Sequence, residues 1–154
     1  MGIEDSYNFR RIDDRVTTSG LVQVAQLRDL HREGYDAVIN LLPDTYEHAV
    51  PDEERIVRDQ GLDYVYIPVD FDAPTHADLD AFTDAMDART GQKVHVHCAA
   101  NYRVSAFYSL YALRKGLCTE GEASALVRDV WDPSDFPAWT AFIAEERKRA
   151  ASER

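Results

Sequence analysis

The sequence predicts an α/β domain with a central, mostly parallel sheet flanked by helices. Three observations predict it. Short apolar runs rich in β-branched and aromatic residues, YDAVINLL at 35–42, DYVYIPV at 63–69 and KVHVH at 93–97, have the length of strands. Between them lie stretches whose apolar residues recur at helical spacing. Glycines 34, 61, 91 and 116 fall where four of these stretches end, the usual place for a helix stop. Strands alternating with helices imply parallel pairing, because a parallel connection has to cross over the sheet.

In chain order, residues 7–18 read as one or two short β segments, and Ser19-Gly20 turns the chain. Leu21, Val24, Leu27 and Leu30 mark a first helix, and 35–42 a buried strand. Residues 45–52 read as loop, with Pro51 in the first turn of a helix reaching Gln60. The run 63–69 reads as a second buried strand, and Asp70 to Pro74 as its outgoing loop. Thr75 with Asp78 forms a capping box ahead of a stripe of Leu79, Phe82 and Met86. Residues 93–97 are the third central strand; Phe107, Leu110, Tyr111 and Leu113 mark the helix after it. Thr119 and Glu122 make another capping box, 131–135 a loop, and Phe136, Trp139, Phe142 and Ile143 the last helix. A charged tail over 146–154 reads as a solvated, fraying end.

The 154 residues fit one domain, 1–154, and 45% apolar content supports a real core. No run reaches the length of a membrane span, and the start lacks the basic and apolar regions of a signal peptide. Met1-Gly2 with Ser6 fits a loose acylation pattern, but no polybasic second anchor follows, so chance accounts for it. Two cysteines, Cys98 and Cys118, make neither a disulfide framework nor a metal set, which places the chain in a reducing, cytoplasmic compartment. A net charge of −11 argues against nucleic acid and anionic membranes as partners. A phosphorylated substrate would have to be held by local geometry.

One stretch carries chemistry, from Val94 to Ser105. A β-branched run ends on Cys98, small and turn-tolerant residues follow, then Arg103, Ser105 and an amphipathic helix. Strand, loop and helix N-terminus together are an anion cradle. A Cys at the mouth of such a loop sits in a field that favours its nucleophilic thiolate. Ligands of parallel sheets bind at the carboxyl ends of the strands. The loops after Leu42, Val69 and His97 are therefore expected to converge.

The segment His97-Cys98-Ala99-Ala100-Asn101-Tyr102-Arg103-Val104-Ser105 resembles the His-Cys-x5-Arg-Ser/Thr signature of cysteine-dependent protein tyrosine and dual-specificity phosphatases. Ser19-Gly20, VINL at 38–41, Gly61 to Val69, and Pro74-Thr75 with Leu79 and Phe82 extend the likeness upstream. Together they resemble the small bacterial branch related to the phosphatase-like domain found beside β-lactamase-like hydrolases. The resemblance implies a dual-specificity phosphatase-like fold and hydrolysis of a phosphomonoester through a phosphocysteine, without metal or organic cofactor. It implies that Cys98 attacks phosphorus and that the N–H groups of Ala99, Ala100, Asn101, Tyr102, Arg103 and Val104 hold the equatorial oxygens. Arg103 would clamp two of those oxygens, Ser105 would stabilise the departing thiolate, and His97 would brace the loop. The family's general acid comes from the loop after the preceding strand. Here that loop offers Asp70 and Asp72, with Asp72 the first choice and Asp132 a distant third.

Arg103 stands five residues after Cys98, one fewer than in the family, while Ser105 keeps the family distance. Either the loop has full length with its Arg shifted, which is the favoured reading, or it is one residue short. Asn101 replaces the usual Gly and is the residue type that best tolerates positive φ. Two alternatives stay open: a rhodanese-type sulfurtransferase carrying a persulfide on Cys98, and a catalytically weak phosphate-binding module. Cys118 reads as structural, His95 as a strand residue, Trp131 and Trp139 as packing anchors, and Tyr102 as either a wall of the mouth or a cover of the core. The sequence gives neither the physiological substrate nor the oligomeric state.

Overall fold

The computed structural model describes residues 2–152. Met1 of the acylation pattern and the last two residues of the charged tail lie outside the described residues. The strands are β1 (Arg10–Arg11), β2 (Val16–Ser19), β3 (Ala37–Asn40), β4 (Asp63–Tyr66) and β5 (Val94–His97). The helices are α1 (Val24–Arg28), α2 (Glu53–Arg58), α3 (His76–Asp87), α4 (Tyr102–Arg114), α5 (Glu120–Arg128) and α6 (Pro137–Ser152). The sheet order is β1-β2-β5-β3-β4. Only β1 runs antiparallel; β2, β5, β3 and β4 are parallel to one another. This is the α/β architecture read from the sequence, with Cys98 leaving the central strand.

The alternation of side chains along β5 explains its place. Val94 and Val96, with Cys98 just beyond, enter the larger core, which also takes Leu79 and Phe82 of α3, Phe107 of α4 and Trp139 of α6. His95 and His97 project to the other face. On that side a smaller core joins Leu27, Leu30 and Tyr35 to Val38, Val57 and Leu62. Both capping boxes form reciprocally. The Thr75 and Thr119 hydroxyls accept the N–H of Asp78 and Glu122, whose carboxylates accept the threonine N–H in return.

Several expectations need correction. The run 63–69 supplies an edge strand of only four residues, not a buried one. Asp63 and Tyr66 are exposed because β4 has no neighbour on its outer side, and burial resumes at Ile67 and Val69. Ser19 ends β2 instead of turning the chain. Pro51 precedes α2, whose N-cap Asp52 takes a left-handed backbone. Over its described residues, 146–152, the tail does not fray. It continues α6 to Ser152 and buries Glu146 and Ala150. The reason is electrostatic and steric at once: the Glu146 carboxylate lies 2.7 Å from His76 Nδ1 and 3.4 Å from Arg149 Nε, which satisfies it against α3. Among the described residues no helix is long and apolar enough to cross a membrane.

Candidate functional site

The connection from β5 to α4 is held from behind. The Cys98 N–H donates to the Ser19 carbonyl at 3.2 Å, and the Ala99 carbonyl accepts the Leu21 N–H at 2.9 Å. The Ala100 carbonyl accepts Asn8 Nδ2 at 3.1 Å. The turn after β2 approaches so closely that a Cβ on Gly20 would stand 2.5 Å from the Ala99 oxygen and 2.8 Å from Ala100 Cα. Only glycine fits there. Asn101, the N-cap of α4, adopts φ 68°, as its residue type allows. Its side-chain Nδ2 donates to the Asn8 carbonyl and to Thr18 Oγ1. The first bond of α4 runs from the Ser105 N–H to the Asn101 carbonyl at 2.9 Å. The N–H groups from Ala99 to Val104 thus have no acceptor among the described residues. Such donors at a helix start, with the helix dipole behind them, attract an anion.

The three expected loops do converge. A cleft of about 460 Å³ is lined by Thr45 and Tyr46 from the loop after β3, by Asp70, Phe71 and Asp72 from the loop after β4, and by Arg103. Arg103 is only 5% exposed. Its Nε donates to the Val69 carbonyl at 2.8 Å. Its guanidinium carbon lies 5.1 Å from the centre of the Phe71 ring and 5.9 Å from that of Tyr46. Among the described residues no carboxylate pairs with it, Asp70 and Asp72 included. The guanidinium is therefore fixed by its Nε and keeps its charge for something else.

The two loop carboxylates differ. Asp70 turns back to accept the Asp72 N–H at 2.9 Å, a local Asx turn. The exposed Asp72 carboxylate accepts no hydrogen bond among the described residues. Asp132 caps its own turn by accepting the Ser134 N–H at 3.0 Å, which holds its pKa below the ordinary value, and it does not line the cleft.

Cys98 is fully buried beneath the loop, in contact with the larger core, where the sequence placed it at the mouth. Neither cysteine is in a disulfide. Ser105 is not brought to the cleft. Its hydroxyl donates to the Tyr102 carbonyl and accepts Trp131 Nε1 at 3.1 Å, facing a separate cavity bordered by β1 and α5. So the serine at the family's distance is turned out of the cleft, while the arginine one position early is in it. Val104 follows Arg103 directly and is buried. The Tyr102 ring stacks on Trp131 at 4.6 Å with 5° between planes, so it covers the core.

His97 is 2% exposed, and its Nε2 lies 2.5 Å from Glu53 Oε2; Glu53 is itself buried. Sequence reasoning missed Glu53, because nothing in PDEER separates it from Glu54, which pairs with Arg58 in solvent. It missed Tyr46, Phe71 and Asn8 as well. Phe71 alone carried a signal, as the apolar residue between the two candidate acids. His95 is held between Thr17 Oγ1 and Ser19 Oγ, each at 2.8 Å. Burial, and next the proximity of His97, push its pKa well below 6.5, so it is neutral. Among the described residues no group of three or more His, Cys, Asp or Glu side chains is arranged to hold a metal ion.

Comparison with known proteins agrees with this fold. Residues 8–114 match the family model for the phosphatase-like domain of β-lactamase hydrolase-like proteins. The β-lactamase hydrolase-like protein of Xylella fastidiosa is 34% identical over 118 residues, covering 75% of this chain and 27% of the relative. That of Agrobacterium fabrum is 33% identical over 103 residues, covering 65% and 24%. The chain thus spans about a quarter of the length of these curated relatives. Among solved structures, a candidate phosphatase of Shewanella putrefaciens CN-32 superposes with a TM-score of 0.87 at 38% identity, over 96% of this chain and 95% of that one. TpbA of Pseudomonas aeruginosa, in a Cys-to-Ser variant bound to phosphotyrosine, shares the fold with a TM-score of 0.70 at 16% identity, over 94% and 90%.

Proposed function

Because this chain belongs to the family of the phosphatase-like domain of β-lactamase hydrolase-like proteins, we propose that it hydrolyses a phosphomonoester through a phosphocysteine on Cys98. The observation that carries this reading is Arg103. A buried guanidinium is anchored by Nε, pairs with no carboxylate among the described residues, and lines the cleft, one residue of the segment whose N–H groups lack an acceptor. That is what a dianionic phosphoryl group requires.

In the proposed scheme the Cys98 thiolate attacks phosphorus while the bond to the ester oxygen breaks. Charge on the three equatorial oxygens is met by the loop N–H groups and by the two terminal nitrogens of Arg103. Asp72 gives its proton to the leaving oxygen, since the Asp70 carboxylate is engaged in its own turn. Water, deprotonated by the same Asp72, then attacks phosphorus, and the sulfur leaves as thiolate. The loop N–H groups stabilise that thiolate in place of Ser105, whose hydroxyl is bonded elsewhere. Thiolate, arginine and aspartate suffice, so the scheme uses no cofactor. The substrate is a phosphoprotein or a small phosphoester.

Rapid quenching of native protein with p-nitrophenyl phosphate tests the reading, with mass spectrometry of the peptide carrying Cys98. A phosphorylated Cys98 is expected, absent in Cys98→Ser. Asp72→Asn should steepen the dependence of rate on leaving-group pKa, and Asp70→Asn should do so less. Phosphate binding with no turnover would overturn the enzyme reading in favour of a binding module. A persulfide on Cys98 after thiosulfate, with thiocyanate formed from cyanide, would favour sulfur transfer.

A further inference from the structure

Two asparagines, 93 residues apart, clasp the back of the anion loop. Asn8 Nδ2 donates to the Ala100 carbonyl at 3.1 Å, and Asn101 Nδ2 donates to the Asn8 carbonyl at 2.9 Å. Both residues hold left-handed backbones, φ 51° at Asn8 and 68° at Asn101. A non-glycine residue at positive φ is uncommon, and two in mutual contact mark a built feature. Asn101 also reaches Thr18 Oγ1 at 3.0 Å and has no exposed surface.

The consequence follows from the planarity of the peptide unit. In a trans peptide the C=O of one residue and the N–H of the next point in opposite directions. Anchoring the Ala100 carbonyl on Asn8 therefore turns the Asn101 N–H to the far side of the loop. Anchoring the Ala99 carbonyl on the Leu21 N–H does the same for the Ala100 N–H. The carbonyls, which would repel an anion, are drawn to the back, and the donors are left for the front.

We propose that Asn8 is a positioning residue of the phosphate loop: it fixes the peptide between Ala100 and Asn101 so that the Asn101 N–H faces the bound oxyanion. This rests on the reading of the loop as a phosphate site. The residue lies outside the Cys98 to Ser105 segment and touches no substrate. It acts through the orientation of one peptide plane. A loop that must otherwise order itself around each anion loses affinity, and preorganisation is what the clasp supplies.

The test uses inhibition by inorganic phosphate together with amide NMR of the full chain. Asn8→Gly keeps the left-handed backbone and removes the donor. Its inhibition constant for phosphate should rise about tenfold, the worth of one hydrogen bond to a charged group. On phosphate addition the Ala100 and Asn101 amides, which should shift in native protein, should respond less. Asn8→Asp, similar in shape and tolerant of positive φ, should weaken binding likewise at high salt, where its charge is screened. Both comparisons are made well below the unfolding midpoint, where a merely structural role leaves the inhibition constant unmoved. Native inhibition constants in both variants, with native amide responses, overturn the clasp and leave the phosphate reading intact. A native protein that neither is inhibited by phosphate nor shows an amide response overturns the phosphate reading and the clasp with it.

Discussion

Replacing Arg103 by Lys keeps the charge and removes the fork. The native guanidinium makes two kinds of contact at once: Nε holds the Val69 carbonyl at 2.8 Å, and the face of the group lies 5.1 Å from the Phe71 centroid. A lysine has one nitrogen at the end of a flexible stem, so it can serve the Val69 carbonyl or the phosphoryl oxygens but not both. Loss of one preorganised oxyanion donor costs about 10²–10³ in kcat, about 2.7–4 kcal/mol. Arg103→Lys should fall near the lower end of that range, with kcat reduced more than KM is raised. Arg103→Ala removes charge and fork together and should reach the upper end or beyond it. It also orphans the Val69 carbonyl, worth roughly 1–3 kcal/mol of stability. Steady-state hydrolysis of p-nitrophenyl phosphate reads the first effect and urea unfolding the second. Near-native kcat/KM in Arg103→Ala, with the stability loss intact, would show that Arg103 is a structural prop for Val69 and that the loop N–H groups carry the phosphate alone.

Two further outcomes test the interior behind the loop. His95 is held neutral in the fold with its pKa well below 6.5, so below that pH the unfolded chain takes up a proton that the native state refuses. Stability should therefore fall as pH drops from about 6.5, by up to about 1.4 kcal/mol per unit from this group, and be fully present above it. Urea unfolding at several pH values should show His95→Gln with a shallower slope in that window; an identical slope would mean that other groups carry the acid sensitivity. Glu53→Ala removes the buried hydrogen-bond partner of His97 and should cost about 1–3 kcal/mol, with Glu53→Gln cheaper because an acceptor remains. A loss below about 1 kcal/mol in the alanine variant would show that water takes over the bond.

The sequence made the order of elements legible because local rules and burial agree there. The capping boxes at Thr75 and Thr119, the strand read at 93–97 and the three converging loops follow from period, turn chemistry and topology alone. The edge position of β4 was not legible: an apolar run reads the same whether one or both of its sides are covered, and only the sheet order decides. The buried tail was misread for a related reason. Glu146 looks like any solvated glutamate until His76 and Arg149 are brought to it. At the site, Arg103 and the two loop acids could be found because their type and spacing mean something within one segment. The roles of Glu53 and Asn8 depend on partners 44 and 93 residues away, which no local pattern encodes. The place of Ser105 turned on the rotation of α4, where Trp131 captures its hydroxyl.

The Phe71 wall of the cleft has a separate origin from the loop. Trp139 Nε1 donates to the Phe71 carbonyl at 2.7 Å, and the rings of Phe136, Trp139 and Trp131 surround the Phe71 ring at 5.2, 5.5 and 6.0 Å. All three lie C-terminal to residue 114, where the family match ends. The cleft wall and the Cys98 to Ser105 segment are thus written in different chapters of one chain. Substitutions after residue 114 can reshape the Phe71 wall of the cleft while Cys98 and Arg103 themselves stay as they are.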